Sequence, residues 1–309
     1  MLLAYSGPPP LTAQTGLTSW TLDLGGLAMV LALGGLYVIG LRRLRRRGLH
    51  WPPGRTIGFA AGLLVIVFAT MSFLGVYSRT LFWVTAVQMA LFLTVVPVLL
   101  SLGAPLTMLS TVSPSAGGKV DRVVSSTPLR LLTFPVVACF VVAMFPLLVY
   151  YTPWFEATLR VVPLAWLLHV ILVVVGCLFY WTVLAVDRPP PLHHAALVAI
   201  VLVETLVDAI PGVILWLGNT LIAADYYREV GRPWGRSLLS DQQFGGIMLW
   251  AIGELVGLPL LLLVVALWVR ADAKEAARID EQLDREEAEA AAAELAAEAA
   301  MRAARTDPT

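Results

Sequence analysis

The sequence predicts an all-α integral membrane protein, a bundle of seven transmembrane helices with its N-terminus outside and its C-terminus cytoplasmic. Three observations predict it. Hydrophobic residues make up 59% of the 309 positions and charged residues only 14%, a balance no soluble domain needs. The apolar residues gather into seven stretches of about 20 residues or more, the length that crosses about 30 Å of hydrocarbon. The arginines, in contrast, crowd into the loop after the first stretch, which orients the bundle.

Residues 1–18 form an extracytoplasmic lead. MLLAYSGPPPLTAQTG has no basic segment followed by an apolar core, so no cleaved signal peptide is expected, and three prolines at 8 to 10 keep it extended. Residues 19–270 form the membrane domain. Its spans run near Trp20 to Leu41, Ile57 to Tyr77, Leu81 to Leu102, Leu129 to Tyr150, Pro163 to Ala185, Ala195 to Ala223 and Phe244 to Trp268, the sixth being long enough to tilt or to carry a kink at Pro211. Arg42, Arg43, Arg45, Arg46, Arg47 and Arg55 follow the first span, so that loop is cytoplasmic. Alternation then places Lys119, Arg122, Arg130 and Arg188 inside, against a weaker outer set at Arg228, Arg232 and Arg236. Residues 271–309 are rich in Ala, Glu and Arg and lack an apolar stripe, which reads as a solvated cytoplasmic helix, either a solubilising tail or a docking helix for a partner subunit.

Composition also excludes several classes. A formal net charge of zero implies no general attraction to nucleic acid. Cys139 and Cys177 both lie inside apolar stretches, so no disulfide framework is indicated. There is no nucleophile and base pair, glycine-rich phosphate loop or cofactor fingerprint, so the chain is not read as an enzyme.

The stretch WGRSLLSDQQFGGIMLW, residues 234–250, carries the strongest local signal, a polar knot running straight into the last apolar segment. Asp241, Gln242 and Gln243 stand where that helix begins, as a cap or rim or as part of a site, and Gly245-Gly246 lets another backbone come close. The alternating topology brings further polar or soft residues to the same outer depth: Met71, Gln88, Met89, His169, Asn219 and Met248. Such groups face a bundle interior, because lipid does not solvate them. A lone methionine is usually core filler, and Gln88 or His169 also serves as an interhelical hydrogen-bonding group. Thioether and imidazole together suit Cu(I), but one histidine, His169, and scattered methionines with no CxxC, HxxxH or paired Cys/His motif make only a weak metal signature. Deeper lie three carboxylates, Glu204, Asp208 and Glu254. The first two share a helix face, either as interhelical hydrogen-bonding acids or as a cation or proton relay.

SDQQFGGIMLW followed by GELVGLP resembles the signature of the CtaG family, multi-span assembly proteins of caa-type cytochrome c oxidases. VQMALFLTVVPVLLSLGAP (87–105), HVILVVVGCLFYWTVLAVD (169–187) and WVRADAKEAARIDEQLD (268–284) fit the same family, so the resemblance covers about residues 20 to 285. It implies an accessory factor of the respiratory chain with oxidase subunits as partners, metallochaperone-like in holding or relaying copper for the oxidase copper centre at the outer membrane face. The family pattern also implies two histidines four apart on the third span and two more on the fifth. The matching positions here are Thr85 and Met89, then Ala165 and His169, and Glu254 stands where the family usually has Asp.

Two readings follow from that resemblance: a Met89 and His169 site that still handles Cu(I), or a divergent metal-free membrane scaffold. A third, from another class, is a transporter or channel using the three carboxylates. It requires a polar track through both faces, and the inner halves of the third, fourth and fifth spans are almost wholly apolar.

Overall fold

A computed structural model describes residues 5–184, 186–187 and 193–306, and Arg188 lies outside them. Among the described residues the chain is all-helical, with six helices long and apolar enough to cross a membrane and a seventh span only if one bent pair is counted. The contacts divide it into two units, Met1–Leu261 and Leu262–Thr309.

In the first unit, a short helix α1 (Ala13–Thr18) precedes α2 (Leu24–Arg46), which starts where Asp23 accepts the Gly26 N–H at 2.5 Å. Its last turn holds Arg43, Arg45 and Arg46, cations favoured at the carbonyl end of the helix dipole. A proline pair opens α3 (Pro53–Met71), Pro53 taking the first helical position where its missing N–H is harmless. Ser72 breaks the helix and caps α4 (Phe73–Tyr77) through the Leu74 N–H, so the second span is jointed near its end.

The third span is the least regular. Helix α5 (Phe82–Ala90) passes through a π-helical turn at Leu91–Val95 into α6 (Val96–Leu102), and left-handed Ala104 before Pro105 turns the chain into α7 (Pro105–Val112). The wide turn has a packing partner. Gly176 lies against the Leu93 carbonyl and the Pro97 ring, where any Cβ would overlap both, so α12 (Val162–Leu184) runs unusually close to the third span there.

The fourth expected span, Leu129 to Tyr150, is not one helix. Pro114–Val124 and Thr127–Leu132 form α8 and α9, and Pro135 then restarts the chain as α10 (Pro135–Tyr150). Sixteen helical residues rise about 24 Å, less than the hydrocarbon thickness. Helix α11 (Pro153–Arg160) continues at 69° to α10 after Pro153, so α10 and α11 together make the bent candidate span. Proline explains the difference, since the residue before it is pushed out of the helical region. The sixth span, α13 (His194–Leu217), contains Pro211 and ends six residues before the expected limit, leaving 218–223 as a connection to α14 (Ala224–Val230). The last helix, α15 (Leu238–Thr306), begins six residues before Phe244 and so takes in Asp241, Gln242 and Gln243.

Helices α3, α6 and α12 pack together, and α10 packs on both α12 and α13. Leu31 and Leu36 of α2, Leu64 of α3 and Leu206 of α13 are exposed, the arrangement of a bundle whose outer solvent is lipid. The second unit is described by itself. Leu262, Leu263, Leu267 and Val269 are exposed at its start, and Arg285 pairs with Glu281 at 3.7 Å one turn apart on a solvated face.

Candidate functional site

The end of the first unit where α2, α5 and α12 begin and α3 ends encloses a cavity of about 360 Å³. Asp23 comes from the cap of α2 and Thr70 from the last turn of α3. Arg79 lies between α4 and α5, Thr85 and Gln88 are on α5, and Ala165, Trp166 and His169 are on α12. Residues 85 and 88, and likewise 165 and 169, are three or four apart and therefore share a helix face. Thr85, Ala165 and His169 thus occupy one cavity although two different helices supply them.

Most of the polar groups in its wall are already engaged. Asp23 accepts the Trp166 Nε1–H at 2.9 Å through Oδ2, tying α2 to α12, while Oδ1 holds the Gly26 N–H. Gln88 donates from Nε2 to the Ala69 carbonyl at 2.7 Å, and the Thr85 hydroxyl donates to the Ser78 carbonyl. His169 differs. One face of its ring stacks on Phe92 at 4.3 Å between centroids and 10° between planes, and neither ring nitrogen has a hydrogen-bond partner among the described residues. It is the free imidazole of the cavity. Asp23, Arg79 and Trp166 were not legible as site residues in the sequence; the available signal was Asp23, the one acidic residue inside the first apolar stretch.

The thioethers go elsewhere. Met89 is 2% exposed and is not part of the cavity wall. Met248 packs against the cluster of Leu74, Tyr77, Leu81, Val84 and Val87, and Met71 contributes its carbonyl to the Thr21 N–H at 2.8 Å. Among the described residues no three His, Cys, Asp or Glu side chains converge as a ligand set. Of the residues expected as ligands, His169 alone lines the cavity.

The Asp241 to Gln243 block is a clasp. Asp241 Oδ2 accepts the Phe82 N–H at 2.8 Å, capping α5, and stands 3.7 Å from Arg232, with both side chains almost fully buried. Gln242 accepts the Ile222 N–H at 2.8 Å and donates to the Thr220 carbonyl at 2.9 Å, and Gln243 donates to Gly218 at 3.3 Å. The three side chains hold the 218–222 connection and the start of α5 against α15. Gly246 packs on the Gly212 carbonyl of α13, the close backbone approach its sequence context predicts. Asn219 lies beyond the end of α13 and is exposed.

The carboxylates form a separate group outside the cavity wall. Glu204 is 2% exposed, receives the Tyr180 hydroxyl at 3.5 Å on Oε1, and has no partner on Oε2 among the described residues. Asp208 packs against Gly253 of α15, and Glu254 accepts the Trp250 Nε1–H at 3.1 Å.

Together these features define a multi-pass helical membrane protein with a partly polar cavity at one end of its first unit. A profile of the family described as cytochrome c oxidase caa3 assembly factor (Caa3_CtaG) matches residues 35–271, and the chain belongs to that family. Uncharacterized proteins of Mycobacterium bovis and Mycobacterium tuberculosis are each 32% identical to it over 301 residues, and one of Mycobacterium leprae is 31% identical over 301 residues. Each alignment covers 92% of this chain and 44% of the relative, so the chain spans under half the length of these relatives. No solved structure matches it. The apolar helices and the family place it in the bacterial plasma membrane as a multi-pass protein.

Proposed function

We propose that the protein assists assembly of a cytochrome c oxidase from within the membrane, not as an enzyme, and that the His169 cavity is where it meets copper as passing cargo. One observation carries this reading: Thr85, Ala165 and His169, three of the four positions matched to the family's histidines, converge on a single cavity in which only His169 keeps a free imidazole. A single imidazole holds Cu(I) weakly, as passing cargo requires, and the oxidase subunit that receives the ion supplies the stronger donors. In this reading the arginine-rich loop after α2 is cytoplasmic, which turns the N-terminus and this cavity outward, and the bent pair counts as a seventh span, which leaves the C-terminus cytoplasmic.

A second reading, a metal-free scaffold, is supported by Thr85 and Ala165, which cannot replace imidazole as ligands, and by Met89 lying outside the cavity wall. Competition for Cu(I) against a chelator, on the detergent-purified full chain, separates the two. The cargo reading expects binding that weakens about tenfold or more, about 1.4 kcal/mol, in His169→Ala and stays unchanged in Met89→Ala. Absence of binding by the wild type, or equal binding by His169→Ala, leaves the scaffold.

A further inference from the structure

The opposite end of α2 borders a second, larger cavity that the assembly role does not use. It encloses about 660 Å³ and is almost entirely apolar, walled on one side by Leu33, Leu36, Tyr37, Gly40 and Arg43, a continuous face of α2 at three- and four-residue spacing. From Leu33 to Arg43 that face extends about 15 Å along the helix, a length suited to an extended acyl chain. Helix α7 and the second half of α12 make the opposite walls.

Hydrogen bonds tie the walls together near the end of α2. Arg47 donates to the Thr111 carbonyl at 3.1 Å, linking the end of α2 to α7. Asp187 receives the Thr107 N–H and the Trp181 Nε1–H, each at 2.8 Å, linking α7 to the end of α12. Tryptophan and arginine at one depth mark the level of the lipid headgroups. At this level the wall changes from leucine to Arg43, whose guanidinium is exposed and has no hydrogen bond or carboxylate partner among the described residues. Arg42, Arg45 and Arg46 beside it are likewise exposed and without carboxylate partners among the described residues.

We infer that this groove binds an anionic phospholipid of the membrane, one acyl chain lying along the Leu33 to Gly40 face and the headgroup phosphate on Arg43. The charge complementarity selects the occupant. An apolar helix would fill the groove but would leave the four arginines uncompensated, whereas an anionic headgroup meets them at the point where the chain enters. A site of this kind differs from general surface attraction because one arginine lines it and its neighbours do not.

Native mass spectrometry of the full chain released from nanodiscs of mixed phosphatidylglycerol and phosphatidylcholine tests this. The wild type is expected to retain one phosphatidylglycerol in preference to phosphatidylcholine. Arg43→Gln should lower that retention about fivefold, from the roughly 1 kcal/mol that one arginine adds near an anionic surface, while Arg42→Gln, which is off the groove wall, changes it little. Leu109→Trp, which fills the groove without altering charge, should lower retention of both lipids. Equal retention of the two lipids by the wild type, or equal losses in Arg42→Gln and Arg43→Gln, would overturn the assignment. Circular dichroism and size exclusion of each variant separate loss of the lipid from loss of the fold.

Discussion

Asp241→Ala is expected to destabilise the protein by about 3 to 5 kcal/mol, the usual consequence of removing one partner from a buried ion pair. The change leaves the Arg232 guanidinium buried without its countercharge, and it strips the Phe82 N–H at the start of α5 of its acceptor. Arg232 has its own obligations, donating to the Trp234 and Arg236 carbonyls at 2.9 Å, so it does not swing free to find water. Asp241→Asn separates the two contributions: its amide oxygen still accepts from Phe82, while the charge is gone. A thermal unfolding series in detergent should therefore rank wild type above Asn and Asn above Ala, with the Ala variant lower by about 10 °C. Wild-type melting of Asp241→Ala would show that the clasp contributes nothing to stability. Because Asp241 is not in the wall of the His169 cavity and Asp241→Asn keeps the acceptor that caps α5, Cu(I) competition by the folded Asp241→Asn variant should match the wild type.

The second large effect is steric and has an internal control. Gly246→Ala places a Cβ about 2.5 Å from the Gly212 carbonyl oxygen and 2.6 Å from the Trp216 nitrogen, contacts with backbone that no rotamer change relieves. Helices α13 and α15 must separate, and the expected loss is about 2 to 3 kcal/mol. Gly35→Ala is the same substitution on α2, where nothing lies within 4 Å of the added carbon. There the helix gains an alanine, and stability should be unchanged or rise by up to about 1 kcal/mol. A fall at Gly246 without a fall at Gly35 is the prediction; a rise at both would mean that glycine's conformational entropy, and not the close approach of α13 and α15, governs both sites.

The amino-acid order made the membrane class plain because hydrophobic run length is a one-dimensional property, set by bilayer thickness alone. It was less informative wherever proline acts. Leu129 to Tyr150 has the hydropathy of a span, yet Pro135 divides it between the end of α9 and α10, each too short to cross alone, an effect that averaging over a window hides. Gly245-Gly246 was readable as a contact point because small residues permit one, but Gly212 as its partner was not, since partners depend on which helices pack.

The site shows the same division. Sequence spacing selects Gln88 and His169 as polar groups inside apolar helices, and both line the cavity. Depth alone also grouped Met71, Met89 and Met248 with them, but depth says nothing of azimuth. A residue one position around a helix turns by about 100°, enough to move Met89 out of the cavity wall that Gln88 lines. The family, the apolar spans and the basic end of α2 are thus determined by the sequence itself, because composition and local pattern carry them. Which side chains share the His169 cavity, and that Asp241, Gln242 and Gln243 form a clasp around the 218–222 connection, were decided by tertiary structure. Both depend on the rotation and close approach of helices far apart in the chain.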